Sequence, residues 1–250
     1  MFDTLTIIAI IGTFLIAGTV KGVVGLGLPT VSLGLLTATL GLPTAMALLL
    51  VPSFVTNLWQ AVIGGNFRVI LLRIWPLLLM ATVTVWIGAK ALTAIDHLLL
   101  SALLGSLIVT YAILSLADFH LALTASQESW LGPLVGSANG ILTGMTGSFV
   151  VPGVMFLQAI GLPRDLLIQA MGMLFTASTF ALALALQGNN ILTVQLGTLS
   201  AIALIPAIIG MVVGRRIRQS MPEALFRRVF FIALLILGIY LIFESAYGLI

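Results

Sequence analysis

The sequence predicts an all-α polytopic membrane protein made of two inverted repeats, each opening with a broken or re-entrant helix pair followed by three transmembrane helices. The first observation is composition: the 250 residues are 61% hydrophobic and only 7% charged, with a mean hydropathy of +1.27. A soluble domain has roughly 25% charged residues. The second is a series of apolar runs of membrane-spanning length. The third is that interrupted runs recur at equivalent places in the two halves.

Short connections separate the apolar runs, and several runs have the about 20 residues that a helix needs to cross a bilayer. Four runs are short or are interrupted by glycine and proline, and they form one pair at the start of each half. The runs lie at about 5–20, 23–40, 44–63, 71–90 and 98–117, and then at about 130–146, 148–160, 166–186, 193–214 and 225–243.

An internal repeat becomes visible when the two halves are aligned. The segment Gly18-Thr-Val-Lys21-Gly22 matches Gly136-Ser-Ala-Asn139-Gly140 at an offset of 118, and Gly41-Leu42-Pro43 matches Gly161-Leu162-Pro163 at an offset of 120. Chance matching of common membrane glycines and prolines is the alternative explanation. The predicted repeats, within one integrated membrane domain, are residues 1–120 and 121–250.

The distribution of charge predicts the topology. Each interrupted pair returns the chain to its starting side, as a re-entrant hairpin or as two full crossings, so the three helices that follow leave the second half inverted. One side then carries eight arginines and the other carries Lys90. By the positive-inside rule the arginine side is cytoplasmic and both termini are periplasmic. The arginines are Arg68, Arg73, Arg164, Arg215, Arg216, Arg218, Arg227 and Arg228.

The first interruption, predicted from Gly18 to Pro29, contains a cation inside an apolar run. A charged Lys21 in hydrocarbon would cost at least about 2.5–3.5 kcal/mol. One interpretation places Lys21 at the cytoplasmic end of a short crossing, with its side chain reaching the headgroups. The other places it in a broken helix, where it and exposed backbone amides bind an anion. The binding residues predicted by the second interpretation are Lys21, Gly22, Gly25 and Gly27.

The second interruption has neutral polar groups where the first has a lysine. Asn139 is the repeat partner of Lys21, and its amide can donate hydrogen bonds to an anion without adding a second charge. The hydroxyls and glycines that follow either line a small polar pocket or allow close helix packing. The predicted binding residues are Asn139, Thr143, Thr146 and Ser148.

The helices after each interruption carry further polar residues at helical spacing. Ser53, Thr56, Asn57 and Gln60 share a face in 44–63, and Gln169, Gly172, Thr176 and Thr179 share a face in 166–186. Direct ligand contact and hydrogen bonding between helices both explain such faces. The residues included among the predicted substrate-binding residues are Thr56, Asn57, Gln60, Gln169 and Thr176.

The sequence gives little support to catalysis, cofactors or metals. It has no cysteine, and His97 and His120 are too far apart to suggest a metal centre. Ser148 could act as a nucleophile only with a nearby general base, and both histidines flank loops and do not lie at membrane depth. The net charge of +3 is better explained by cytoplasmic loops than by nucleic acid. We therefore expect no enzyme activity, no cofactor, no metal and no nucleic-acid partner.

These motifs resemble those of the TauE/SafE family of sulfite and organosulfonate exporters, also called the TSUP family. The resemblance covers nearly the whole chain and indicates the branch whose first motif reads Gly-x-x-Lys-Gly-x-x-Gly-x-Gly-Leu-Pro. That motif is formed here by Gly18, Lys21, Gly22, Gly25, Gly27, Leu28 and Pro29. Membership implies an α-helical transporter of the bacterial cytoplasmic membrane, related to proteins that export sulfite, sulfoacetate or similar anions.

We therefore expect a multi-pass secondary transporter that exports a small sulfur-containing oxyanion by alternating access. The substrate would bind near the membrane midplane between the two inverted halves. Lys21 would pair with the anionic group, and amides and hydroxyls would complete the site. A passive anion channel, or a transporter for another small carboxylate or anion, stays open as an alternative. The expected partners are the small anionic substrate and the lipid bilayer, and a homodimer stays open as an alternative to a single copy of the chain.

Overall fold

The structure, a computed structural model, describes residues 3–118, 121–220 and 223–248, so that His120 lies outside the described residues. The described part of the chain is helical, with short turns between the elements. Its helices are α1 (Thr4–Val24), α2 (Leu28–Leu40), α3 (Leu42–Val62), α4 (Phe67–Val83), α5 (Val85–Ala94), α6 (His97–Leu116), α7 (Ala125–Thr146), α8 (Gly153–Ala159), α9 (Arg164–Gly188), α10 (Val194–Ser220) and α11 (Glu223–Gly248).

Within the described residues, seven helical segments are long and apolar enough to cross a membrane. This confirms the prediction of an all-α, multi-pass membrane protein. One of the seven, Phe67–Ala94, comprises α4 and α5. Helix α2 has 13 residues and α8 only seven, so each falls short of the about 20 that a crossing needs. The other segments are Thr4–Val24, Leu42–Val62, His97–Leu116, Arg164–Gly188, Val194–Ser220 and Ala224–Gly248.

The chain packs into two compact units, and each draws helices from both predicted repeats. The first unit contains α1, α2, α3 as far as Pro52, α6, α10 and α11. The second contains α3 from Ser53 onwards, α4, α5, α7, α8 and α9. The packing units are therefore different groupings from the sequence repeats 1–120 and 121–250.

In the first unit, α1 and α10 run parallel and approach closely through glycine. A Cβ atom at Gly18 would overlap the backbone of Ala207, and one at Gly22 would overlap the backbone of Met211. A Cβ atom at Gly214 would likewise overlap the backbone of Thr19. Small residues of this kind let membrane helices gain packing contacts that larger side chains would prevent.

Helix α3 begins in the first unit and contains Pro52. Proline has no N–H, so the carbonyl of Leu48 lacks its usual helical donor. The hydroxyl of Ser200 on α10 donates to that oxygen at 2.7 Å and accepts from the N–H of Val51 at 3.0 Å. A side chain from another helix thus completes the interrupted hydrogen bonding of α3.

In the second unit, α7 runs parallel to α4 and α5 and packs on both. A Cβ atom at Gly136 would overlap Leu77, and one at Gly144 would overlap Val85. Between α4 and α5, the hydroxyl of Thr84 lies 2.7 Å from the carbonyl oxygen of Met80 and 3.0 Å from that of Ser137. The second of these contacts joins the α4–α5 junction to α7.

An ion pair holds the start of α7 to α4 in the same unit. Arg73 donates from Nε to Glu128 Oε1 at 2.8 Å and from Nη2 to Glu128 Oε2 at 2.9 Å. Nη2 also donates to the carbonyl of Ile160, directly after α8, at 2.7 Å. Such a bidentate arginine–carboxylate pair is stronger than a single hydrogen bond. Through the bond to Ile160, Arg73 also holds the end of α8 in position.

Candidate functional site

Both opening helices end at a glycine in the left-handed conformation. Gly25 has φ 85° and its N–H donates to the carbonyl of Lys21 at 2.8 Å. Gly147 has φ 73° and its N–H donates to the carbonyl of Thr143 at 2.7 Å. Glycine adopts this conformation without the steric cost of a Cβ atom, which suits it to the end of a helix. The left-handed conformation at Gly25 and Gly147, and not the presence of glycine alone, distinguishes these two positions from the glycines inside the helices.

The breaks are shorter than the sequence predicted. The first was expected from Gly18 to Pro29, but α1 continues through Lys21 to Val24 and only Gly25–Gly27 separate it from α2. Gly18 and Gly22 stay helical because they allow the approach of α10 rather than unwinding the chain. Gly27, at φ 104°, precedes α2. The second interruption was expected from Asn139 to Ser148, but α7 continues to Thr146, so the break begins at Gly147 and extends to Pro152 before α8.

Lys21 lies in the last turn of α1, and only 4% of its surface is exposed. The adjacent residue, Gly22, packs against α10 beside Gly214, directly before Arg215. The lysine is thus buried near the level at which the arginines of α10 begin. Its contact with an anion stays a prediction.

Asn139, the predicted repeat partner of Lys21, lies on α7 in the second unit and is fully buried. Its side-chain oxygen accepts a hydrogen bond from the N–H of Gly153, the first residue of α8, at 3.0 Å. No described residue accepts a hydrogen bond from its side-chain nitrogen. An unsatisfied buried donor costs about 1–3 kcal/mol. This nitrogen is therefore a candidate ligand donor at the break.

The hydroxyls near the second break hold its backbone in place. Thr143 donates from Oγ1 to the carbonyl of Ser148 at 2.9 Å. Thr146 donates to the carbonyl of Leu142 at 2.7 Å and accepts from the N–H of Ser148 at 3.2 Å. These contacts explain why hydroxyl residues lie between the glycines. Ligand binding by Thr143, Thr146 and Ser148 stays a prediction.

The predicted polar faces of α3 and α9 form a hydrogen-bonded chain in the second unit. Thr179 donates to the carbonyl of Phe175 at 2.6 Å, so Ser53 is the donor in its 3.3 Å contact with Thr179. Ser53 in turn accepts from the amide of Asn57 at 3.0 Å. Thr56 lies beside them, with its hydroxyl 3.4 Å from the carbonyl of Ser53. The buried Asn57 is thereby oriented by its neighbours.

The remaining polar residues on this face connect helices or bond within one. Gln60 donates to the carbonyl of Ile168 at 2.7 Å, and Gln169 donates to the carbonyl of Ala61 at 2.8 Å. Thr176 donates within its own helix to the carbonyl of Gly172 at 2.6 Å. For the two glutamines, the structure thus supplies the hydrogen bonds between helices that were the alternative to ligand contact. Ligand contact by these residues has no support beyond the sequence pattern.

Ser178 is not among the residues predicted from the sequence. This residue of α9 is fully buried, and its hydroxyl has no hydrogen-bond partner among the described residues. It lies off the face formed by Gln169, Thr176 and Thr179, and a search for polar helical faces therefore passes over it. It is identified only in the folded chain, by the lack of a hydrogen-bond partner for its hydroxyl among the described residues.

The comparisons with known proteins agree with this architecture. A family model described as "Sulfite exporter TauE/SafE" matches residues 10–241, a segment that includes both breaks. No significant match to the chain was found among the curated proteins or among the solved structures. The family match covers most of the chain, so the chain belongs to the sulfite exporter TauE/SafE family.

Proposed function

We propose that this protein is a secondary transporter that exports a small sulfur-containing oxyanion, sulfite or an organosulfonate such as sulfoacetate, across the bacterial cytoplasmic membrane by alternating access. Membership of a sulfite exporter family supports transport of such anions. The observation that carries the assignment to the second break is the buried, unpartnered side-chain nitrogen of Asn139.

The hydrogen bond from Gly153 determines which kind of ligand Asn139 can recognise. Because the side-chain oxygen accepts from a backbone N–H, the amide cannot exchange its oxygen and nitrogen without losing that bond. The nitrogen therefore presents two N–H donors and no acceptor. Such a group favours the oxygens of an anion over a cation. This polarity agrees with the oxyanion substrates of the family.

The inverted repeat is also part of the proposal. It is supported by the way in which the opening helix of each predicted repeat packs on helices of the other repeat. Helix α1 of residues 1–120 packs on α10 of residues 121–250, while α7 of the second repeat packs on α4 and α5 of the first. Equivalent opening helices thus make equivalent contacts. In this arrangement the arginine-rich connections are cytoplasmic and both termini are periplasmic. Lys21 would supply the positive charge of the first break.

The test replaces Asn139 by aspartate. Asn139→Asp keeps an oxygen for the N–H of Gly153 but replaces the N–H donors by a second oxygen that repels an anion. We expect sulfite and sulfoacetate to bind at least about tenfold more weakly, since a hydrogen bond to a charged group contributes about 1.5–3 kcal/mol. Titration calorimetry on the purified full chain measures the affinity, and thermal unfolding without ligand checks folding.

The matched control is Asn66→Asp, the same change at the residue before α4, where the side chain makes no capping hydrogen bond and its nitrogen donates to the carbonyl of Gly64 at 2.8 Å. It should bind like the wild type. Unchanged binding by Asn139→Asp would exclude the proposed site. Counterflow in vesicles tests the transport mechanism, because a passive channel gives ohmic current without exchange. Asn139→Ser, which also lacks the amide donor, serves if the aspartate variant does not fold.

A further inference from the structure

The hydroxyl of Ser178 is unusual among the helical serines of this chain. Buried serines such as Ser32 and Ser101 donate to a carbonyl one turn earlier in their own helix, both at 2.8 Å. Ser178 is fully buried, yet no described residue bonds to its hydroxyl. Burying an unpaired hydroxyl costs free energy that an alanine would avoid. Its presence therefore requires another explanation.

Two contacts place Ser178 on the face of α9 that packs against the second break. The ring of Phe149, within the break, lies 5.8 Å from the ring of Phe175 between centroids. A Cβ atom at Gly153 would meet the side chain of Leu174. Residues three and four apart on a helix are neighbours on one face. Ser178 is three residues after Phe175 and four after Leu174, so it shares the face that meets the break.

Asn139 reaches the same place from α7, because its side-chain oxygen bonds to the N–H of Gly153. The second break thus meets two fully buried side chains with unused hydrogen-bonding atoms: Asn139, bonded to Gly153, and Ser178, one helical turn after the Leu174 that lies next to Gly153. Asn139 offers two N–H donors and Ser178 offers one O–H donor. Both groups are neutral. They therefore recognise oxygen atoms by hydrogen bonds alone.

We infer that Ser178 is a substrate-binding residue, and that with Asn139 it recognises the SO3 group that sulfite and organosulfonates share. This inference rests on the proposed function for the class of substrate. Three donors match the three oxygens of that group, whereas a carboxylate has only two oxygens. The site should therefore prefer a sulfonate to the carboxylate of the same organic group. Ser178 is expected to contribute to this preference through its single donor.

The test compares Ser178→Ala with the wild type for sulfite, methanesulfonate and acetate. Calorimetry on the purified full chain should show sulfite and methanesulfonate binding about tenfold more weakly to the variant, and a reduced preference for methanesulfonate over acetate. Ser178→Thr keeps the hydroxyl and should retain tighter binding than Ser178→Ala. The control, Ser101→Ala, removes a buried serine hydroxyl from α6 and should bind like the wild type.

Thermal unfolding without ligand separates binding from structure. Because its hydroxyl has no partner in the described chain, Ser178→Ala should be as stable as the wild type or more stable. A loss of stability would indicate a structural hydroxyl and overturn the inference. Wild-type affinity in Ser178→Ala, with weakened binding in Asn139→Asp, would overturn it while leaving the proposed function intact. If the wild type binds neither sulfite nor methanesulfonate, both the proposed function and the inference about Ser178 are overturned.

Discussion

The two breaks share one backbone design but differ in chemistry. In both, the opening helix packs through glycines on a parallel neighbour and ends at a left-handed glycine, Gly25 or Gly147. The first break has a buried lysine one helical turn before that glycine. The second has neutral amide and hydroxyl groups instead, and it leads into a helix of seven residues rather than 13.

The comparison indicates that Gly25 and Gly147 determine where each opening helix ends, whereas the polar residues near them give the two breaks different chemistry. The packing glycines Gly18 and Gly22 meet backbone atoms of the neighbouring helix, so Lys21 between them can differ from Asn139 without changing that contact. Two breaks of the same backbone design can therefore carry a charge in one case and neutral donors in the other.

The largest expected effect tests whether the scaffold is equivalent in the two halves. Gly18→Val and Gly136→Val each place side-chain atoms into the backbone of the neighbouring helix. Each should lower stability by about 3 kcal/mol or more, because the helices must separate to make room. Yield of monodisperse protein and thermal unfolding measure this. Gly12→Ala, in open space on α1, should not destabilise. Wild-type stability in either valine variant would show that the two opening helices do not both depend on close packing through glycine.

An intermediate effect tests the difference in chemistry. Lys21→Met keeps much of the apolar side chain but removes the positive charge, so transport of the anion into or out of vesicles should fall at least about tenfold. Lys90→Met, at an exposed lysine of α5, is the control and should transport normally. Normal transport by Lys21→Met would identify the lysine as an anchor. The site would then depend on the neutral donors of the second break.

The smallest expected effect concerns how the two opening helices begin. The pKa of Asp3, at the start of α1, is lowered by hydrogen bonds from the side chain and the backbone of Thr6, whose N–H donates to the Asp3 carboxylate at 3.0 Å. The start of α7 is capped instead by Thr124 and Gln127, which do not titrate. Because the pKa is lower in the folded chain, the contribution of Asp3 is present above its ordinary pKa and is lost as pH falls through the lowered value.

Thermal unfolding between pH 6 and pH 2 measures this effect, because this range begins about two units above an ordinary aspartate pKa and ends about two units below it. Asp3→Asn keeps a favourable cap but removes the titrating group. The wild type should therefore lose slightly more stability than Asp3→Asn at the acidic end. Parallel curves for the two proteins would show that the start of α1 behaves like the start of α7.

Much of the architecture could be predicted because its causes are local. Apolar runs indicate membrane-spanning helices, and Gly25 and Gly147 stop helices through their own backbone preference. The extent of each break was harder to predict. In the sequence, a glycine that interrupts a helix cannot be distinguished from one that lets another helix pack closely. For Gly18, the contact with the backbone of Ala207 in the folded chain identifies the second role.

The site could be predicted only in part because hydrogen-bond partners come from distant parts of the chain. Asn139 was singled out as the predicted repeat partner of Lys21, but only its hydrogen bond with Gly153 in the folded chain shows that its side-chain nitrogen is unused. Gln169 is also a polar residue on a helical face, but its side-chain nitrogen donates a hydrogen bond to the carbonyl of Ala61. The bond between Ser200 and Leu48 spans most of the chain and has no local signature.

The pairing of α1 with α10 has a consequence for biosynthesis. Helix α1 leaves the ribosome well before its close-packed partner α10, which begins only at Val194. At about 5–20 residues per second, α1 must wait on the order of ten seconds before that partner is made. During this interval Gly18 and Gly22 lack the α10 backbone against which they later pack. The nascent chain therefore has to keep α1, with its lysine, in the membrane before α10 is present to pack on it.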